Sequence, residues 1–169
     1  RKAKIVLNGP FYFGGKRVKG SKLESRILVE NNANIIINNK FVLNYGADLE
    51  VFRDANLLIH GNGGANINST IICGDHIELG DGVMCGRNVT IRDNNGGHFM
   101  SLQGYKVSKP IVIGQHAWLC EGCTVMQGVK IGDGAIVGAQ TLVTGKVPSF
   151  SLVSGNPMQI VYNNVYWKY

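Results

Sequence analysis

Branched aliphatic residues recur every six positions along the second half of the chain. From residue 113, the first positions of successive hexads are Ile113, Leu119, Val125, Ile131, Val137 and Val143. The fifth positions carry small or β-branched residues, namely Ala117, Cys123, Val129, Ala135, Thr141 and Val147. An earlier block repeats this layout, with Cys73, Leu79, Cys85 and Ile91 at first positions and Ile77, Val83 and Val89 at fifth positions. Glycine collects at the second and fourth positions of many hexads.

A period of six fits neither a helix nor a plain strand, whose side-chain periods are 3.6 and 2. It fits a short strand followed by a tight turn, with glycine where the backbone bends sharply. Three such sides close a triangular coil of about 18 residues, and coils stack at the strand spacing of roughly 4.8 Å. The sequence therefore predicts an all-β parallel solenoid. A sandwich of alternating strands would not need this period.

The repeat is interrupted between the two blocks. Ile91 and Ile113 are separated by a number of positions that is not a multiple of six, and the segment between them is polar, glycine-rich and closed by Pro110. A loop ejected from a regular solenoid usually lies on its binding face. We therefore expect residues 92–110 to form an ejected active-site loop.

The two ends of the chain depart from the hexads. We interpret residues 1–28 as a basic N-terminal extension or cap, and residues 29–161 as the solenoid domain, with early coils that are irregular. Residues 162–169 form a C-terminal aromatic tail that we expect to cap the last coil or pack on a neighbour. Its aromatic members are Tyr162, Tyr166, Trp167 and Tyr169.

Charge and composition narrow the functional classes. The 169 residues carry a formal net charge of +6, with many basic residues near the start. This charge indicates either a solvated basic end or attraction to polyanions or a phosphorylated ligand. No motif joins it to nucleic acid. No apolar run approaches the ~20 residues of a membrane span, and no signal peptide is recognisable. The four cysteines are not spaced like a disulfide framework, so we expect reduced thiols and a cytoplasmic protein.

Two segments carry a family resemblance. The stretch PIVIGQHAWLCEGCTVMQGVKIGDGAIVGAQTLVTGKVPSFSLVSGNPMQIV and the segment CGRNVTIRDNNGGH resemble the hexapeptide-repeat acyltransferases, roughly over residues 67–161. They are most similar to sugar and capsular-polysaccharide O-acetyltransferases of the maltose and galactoside type. The resemblance implies a left-handed parallel β-helix, a homotrimer with active sites between subunits, acetyl-CoA as cosubstrate and a sugar hydroxyl as acceptor. It implies no metal.

A histidine is suited to deprotonate the acceptor, because an unperturbed imidazole is largely neutral at pH 7. Of the four histidines, only His98 lies in the ejected loop, and it matches the catalytic His of the family. Asp93 could orient the imidazole or bind the acceptor, although Asp also suits a turn there. Asn88 matches a position where the family uses an asparagine near the acceptor. A turn at this position would explain the asparagine nearly as well.

The resemblance also assigns a coenzyme A groove. Trp118 follows an inward alanine, so it should point outward, and it matches the family's Trp beside the pantetheine arm. Ala139 and Thr144 match positions that line the groove. In the family a lysine that binds a phosphate of coenzyme A directly follows this threonine, whereas here Gly145 separates Lys146 from Thr144. Cysteine as an acyl relay competes with direct transfer, but three of the four cysteines are inward by the repeat.

Three alternatives accompany this interpretation. N-acetylation of an amino sugar or nucleotide-sugar could use the same base. A zinc enzyme on the same prism would need three converging histidines. A non-catalytic β-solenoid binding protein would explain the repeat, but not the histidine loop together with an outward Trp118.

Overall fold

The chain winds through twenty short strands that form three sheets, in a computed structural model that describes residues 2–168. Arg1 and Tyr169, which belong to the predicted extension and tail, lie outside the described residues. Sheet A contains β1 (Lys4–Leu7), β4 (Asn34–Ile37), β7 (Asn56–Ile59), β10 (His76–Leu79), β13 (Ile111–Ile113) and β16 (Lys130–Ile131). Sheet B contains β2 (Phe11–Gly15), β5 (Phe41–Asn44), β8 (Gly63–Ala65), β11 (Met84–Cys85), β14 (Trp118–Leu119), β17 (Ile136–Val137), β19 (Ser151–Ser154) and β20 (Gln159–Asn163). Sheet C contains β3 (Arg26–Val29), β6 (Asp48–Val51), β9 (Thr70–Cys73), β12 (Thr90–Arg92), β15 (Thr124–Val125) and β18 (Leu142–Val143).

Each of six successive coils contributes one strand to each sheet, so the chain forms a three-sided parallel β-helix. In the last two coils, Val112 lies opposite Lys130 and Trp118 lies opposite Ile136, so paired residues are three hexads apart. This register confirms the coil length predicted from the hexads. Only β20 runs antiparallel to its neighbour, β19, among the strands of the described chain.

The hydrophobic columns form one continuous core along the prism axis. Every first-position and fifth-position residue of the two hexad blocks is buried, as the sequence pattern predicted. Glycine at the second position allows the coils to approach at the corners. A Cβ on Gly80, for example, would lie 2.5 Å from the backbone nitrogen of Gln115 in the next coil.

The N-terminal third continues the same prism in wider coils. Asn34 lies opposite Asn56, so one turn of the chain there is longer than three hexads, and the period of six is absent. Most of the strands in these coils are also longer than those of the later coils. Strands β1 to β3 form the first coil, and the predicted boundary at residue 28 falls within β3. Residues 16–25 form the basic turn between β2 and β3.

The three corners of the prism position the functional residues. We name the edges after the sheets that they join. The BC edge includes residues 86–89, 120–123 and 138–141, and the CA edge includes residues 93–110, 126–129 and 144–147. Within residues 2–168, no helix is long and apolar enough to cross a membrane.

Candidate active site

The interruption of the repeat is a loop that leaves the CA edge of the fourth coil, as predicted. Its neck is closed by backbone hydrogen bonds, with the Lys109 N–H donating to the Asp93 carbonyl (2.8 Å) and the Asn95 N–H donating to the Val107 carbonyl (3.1 Å). An antiparallel bridge joins Asn94 to Ser108 between them. The neck therefore holds the loop tip, residues 96–105, at a defined place outside the prism.

The Asp93 carboxylate lies at the base of this neck and is fully buried (0% exposed). Its oxygens accept hydrogen bonds from the backbone N–H groups of Gly74 (2.6 Å) and Asp75 (2.8 Å) and from the Asn94 amide (3.1 Å). Backbone N–H donors aimed at a carboxylate form strong, charge-assisted hydrogen bonds. The side chain therefore ties the loop to the preceding coil, and neither oxygen faces the solvent.

His98 lies in the loop tip and is exposed. Its backbone carbonyl accepts hydrogen bonds from the Asn95 amide and from the Tyr105 hydroxyl, the latter at 3.2 Å. Phe99, next to His98, packs edge-on against the Tyr105 ring at 5.9 Å between centroids. The backbone is thus braced while the imidazole stays accessible to a substrate.

The tip is unexpectedly apolar for a loop in solvent. Phe99 is 74% exposed, Leu102 is 63% exposed, and Met100 is also exposed. Neighbouring exposed apolar side chains are typical of a contact surface. The sequence analysis missed these residues, although the letters FMSL within a polar segment were a visible signal.

Asn88 occupies a turn on the BC edge of the fourth coil. Its φ of 58° lies in the left-handed region, where Asn is better tolerated than most residues. Its side-chain oxygen accepts a hydrogen bond from the Asn68 amide in the coil before it (2.9 Å). Asn88 therefore has a structural reason for its identity, and it is also exposed on the edge where Ala139 lies two coils further on.

Trp118 points outward from sheet B, as predicted, and is 39% exposed. The C-terminal tail returns along this face, so the Trp167 ring lies 5.6 Å from that of Trp118. Trp167 also stacks on His116, with centroids 4.1 Å apart, and its indole N–H donates to the His116 carbonyl (2.8 Å). The tail packs on the side of its own prism and adds Trp167 to the aromatic surface around Trp118.

The candidate residues fall on two different edges. His98, Asp93, Thr144 and Lys146 belong to the CA edge, whereas Asn88 and Ala139 belong to the BC edge. Sheet C separates these edges by about five extended residues, or roughly 16 Å. One chain therefore does not bring all of the candidates together.

The four cysteines are free thiols, and burial raises the pKa of each. Cys73, Cys85 and Cys123 are buried, as the repeat predicted, and the pKa of Cys123 is raised to about 12. Cys120 is partly buried. A thiol acts as a nucleophile in its thiolate form, so these surroundings oppose an acyl relay.

The other three histidines lie outside the loop, but His76 directly follows Asp75, whose N–H donates to the Asp93 carboxylate at the loop neck. His60 and His76 flank Glu78 on sheet A, with the His60 Nε2 atom 2.9 Å from a Glu78 oxygen. His116 lies under Trp167 at the corner between sheets A and B. The described part of the chain contains no group of three or more His, Cys, Asp or Glu side chains placed to hold a metal ion.

Part of the chain is similar to known acetyltransferases. Residues 110–145 match the family model described as Bacterial transferase hexapeptide (six repeats). YvoF of Bacillus subtilis (strain 168) is 39% identical over 88 residues, which cover 52% of this chain and 48% of YvoF. The galactoside O-acetyltransferase of Escherichia coli (strain K12) is 31% identical over 109 residues, which cover 63% of this chain and 54% of that enzyme. The chain thus spans about half the length of these two relatives.

Solved structures share the fold. The polysialic acid O-acetyltransferase OatWY has a TM-score of 0.67 at 19% identity, covering 100% of this chain and 92% of that one. The hexapeptide-repeat acetyltransferase VCA0836 of Vibrio cholerae, complexed with acetyl-CoA, has a TM-score of 0.59 at 22% identity, covering 94% and 72%. The fold is the left-handed parallel β-helix of the hexapeptide-repeat transferases. The chain is therefore similar to hexapeptide-repeat acetyltransferases in its repeat and in its fold.

Proposed function

We propose that the protein transfers the acetyl group of acetyl-CoA to a hydroxyl of a sugar or polysaccharide precursor, with His98 as the general base. The observation that carries this proposal is the loop at residues 93–110, which presents one accessible imidazole from a braced backbone beside a hexapeptide prism. Acetyl-CoA is the cosubstrate expected from the superfamily and from the VCA0836 complex.

The proposed chemistry is direct transfer. The neutral His98 side chain accepts the proton of the acceptor hydroxyl as the oxygen attacks the thioester carbonyl. A C–O bond forms, the C–S bond breaks, and the imidazolium returns its proton to the coenzyme A sulfur. No protein thiol takes part, because burial raises the pKa of the cysteines.

The separation of the two edges supports a homotrimer whose active sites lie between neighbouring subunits. A complete set of candidates requires the CA edge of one subunit, with His98, beside the BC edge of the next, with Asn88 and Ala139. The exposed Phe99 and Leu102 would be covered in that arrangement, because they flank His98 on the loop tip. Burying such side chains stabilises an interface by about 25 cal/mol per Å².

The coenzyme A groove in this proposal runs along the C-terminal coils. Ala139 on the BC edge and Thr144 on the CA edge are exposed and line it from the two subunits, with Lys146 near the second. Trp118 borders the pantetheine arm, and Trp167 of the tail widens that aromatic wall.

The buried Asp93 carboxylate supports a positioning role in place of direct acceptor binding. Its hydrogen bonds to Gly74 and Asp75 fix the start of the loop that carries His98. A contact with the acceptor would require an unpaired oxygen, and both of its oxygens already accept hydrogen bonds from the protein.

Replacement of His98 by Ala tests the base directly. We expect kcat to fall by about 10²–10⁴, because a positioned general base contributes a factor of that size. Release of the coenzyme A thiol is measured with a panel of sugars and amino sugars, and mass spectrometry of the product distinguishes O- from N-acetylation. His60→Ala, at the corner between sheets A and B, is the matched control and should retain turnover. An unchanged kcat in His98→Ala would contradict the assignment.

A further inference from the structure

Sheet B carries a groove of about 300 Å³ across the second to fourth coils. Val42, Gly64 and Met84 occupy successive outward positions of the same column, since Val42 lies opposite Gly64 and Gly64 lies opposite Met84. Gly64 has no side chain to fill its place, and a Cβ there would lie 2.7 Å from the Val42 carbonyl oxygen. The gap is therefore built into the coil packing.

The rim of this groove is positively charged. Lys16, at the start of the basic turn, borders it near the BC edge, and Lys40 borders it at the opposite corner. No Asp or Glu is among the described residues that line it. Two lysines that line one hollow without a carboxylate favour an anionic ligand.

An independent observation points to the same hollow. Asn44 lines the groove and is only 5% exposed, yet its side-chain oxygen has no hydrogen-bond partner among residues 2–168. An unpartnered buried acceptor costs about 1–3 kcal/mol, which a hydroxyl donor from a ligand would offset. Asn66, which follows the equivalent strand of the next coil, adds a second amide beside it. Acceptors and donors of this kind suit a sugar.

The groove adjoins the candidate acceptor site. Asn66 belongs to the same turn as Asn68, whose amide bonds to Asn88 in the next coil. Stacked coils are about 4.8 Å apart, so an acceptor whose hydroxyl lies beside Asn88 would extend its neighbouring unit towards the groove.

We propose that this groove binds an anionic sugar unit of the acceptor, next to the unit that is acetylated. Lys16 and Lys40 pair with the carboxylate or phosphate of this sugar unit. Asn44 and Asn66 bind its hydroxyl groups, and the sugar ring lies over Gly64. The link to acetylation rests on the proposed function, but the binding itself does not. The substrate class is therefore an acidic glycan or a phosphorylated saccharide.

Binding without acetyl-CoA tests the proposal, by calorimetry at low salt with two pairs of probes. The first pair is a galacturonate hexamer and its carboxyl-reduced counterpart, and the second is galactose 1-phosphate and galactose. We expect the anionic member of at least one pair to bind at least tenfold more tightly than its neutral partner. The responding pair identifies the anion as a carboxylate or a phosphate.

A double variant, Lys16→Asn with Lys40→Gln, should remove most of that difference and leave the affinity for the neutral probe unchanged. Asn suits position 16 because its φ is 58°. Lys4→Gln with Lys130→Gln, two exposed lysines of sheet A, removes the same charge and should retain the preference. Thermal melting checks that each variant is folded.

The proposal is overturned if neither anionic probe exceeds its neutral partner, or if the sheet A control loses as much affinity as the groove variant. A protein that binds the anionic probe but acetylates nothing would contradict the proposed function and leave the groove assignment standing.

Discussion

The buried carboxylate of Asp93 accepts hydrogen bonds from the backbone and thereby holds the start of the ejected loop. Its position shortly before His98 suggested an orienting partner for the imidazole. The coil geometry gives it backbone N–H donors instead, at Gly74 and Asp75. Spacing along the chain could not reveal this, because the donors come from the turn that follows the equivalent strand of the previous coil.

We expect Asp93→Asn to lower the free energy of unfolding by about 1–3 kcal/mol, because an amide –NH₂ would face one of the N–H donors. Chemical denaturation measures the change. Asp54→Asn is the matched control and should cost less than about 0.5 kcal/mol, because Asp54 is exposed at a φ of 62° that Asn adopts readily. Equal losses in the two variants would contradict the role assigned to Asp93.

The thiols give a second test at single residues. The pKa of Cys123 is raised to about 12 by burial, so the thiol form of this residue strongly predominates at pH 8. Iodoacetamide at pH 8 should therefore modify the native protein slowly, beginning at the partly buried Cys120, whereas the denatured chain should react at all four sites. Peptide mass spectrometry measures the order.

The same reasoning bears on the mechanism. Cys120→Ser should retain kcat within a factor of about three, since direct transfer needs no acyl-cysteine. A loss of about 10² or more in this variant would favour the relay.

Among the elements, the ejected loop has one feature that the sequence predicted and two that it did not. The break in the hexads predicted its location, but its hydrogen-bonded neck and apolar tip depend on contacts between residues that are distant in the loop. Asn95 and Tyr105 meet only because the two sides of the neck pair. The hexapeptide repeat of the sequence carries no information about such pairing.

The apolar tip should matter for assembly. We expect Phe99→Ser with Leu102→Ser to weaken the proposed trimer and to lower kcat by at least tenfold. The melting temperature of the isolated prism should change little, because both side chains are exposed. Analytical ultracentrifugation reports the oligomeric state. Val18→Ser, an exposed apolar residue of the basic turn, is the control. An intact trimer with full turnover would contradict the role given to the tip.

The whole prism could be predicted where the hexads are regular, because two inward positions in each hexad fix both strand and turn. The N-terminal third was harder, since its coils are longer than three hexads and have no period of six. The path of the tail was unpredictable for a different reason. Trp167 packs on His116 and Trp118, and contacts between segments so distant along the chain leave no local signal.

The arrangement of the candidate residues also belongs to the whole molecule. His98 and Ala139 lie on different edges of one prism, so the account requires two chains for each active site. A subunit that lacks the base still offers an intact BC edge, and a subunit with a blocked BC edge still offers its base.

Complementation in mixed trimers tests this requirement most directly. His98→Ala and Ala139→Glu chains are each expected to be inactive alone. After unfolding and refolding together in equal amounts, about one quarter of the sites should pair an intact loop with an intact BC edge, if chains assort randomly into cyclic trimers. We therefore predict recovery of about a quarter of the unaltered turnover. A mixture that forms trimers and stays as inactive as its parents would contradict an active site shared between subunits.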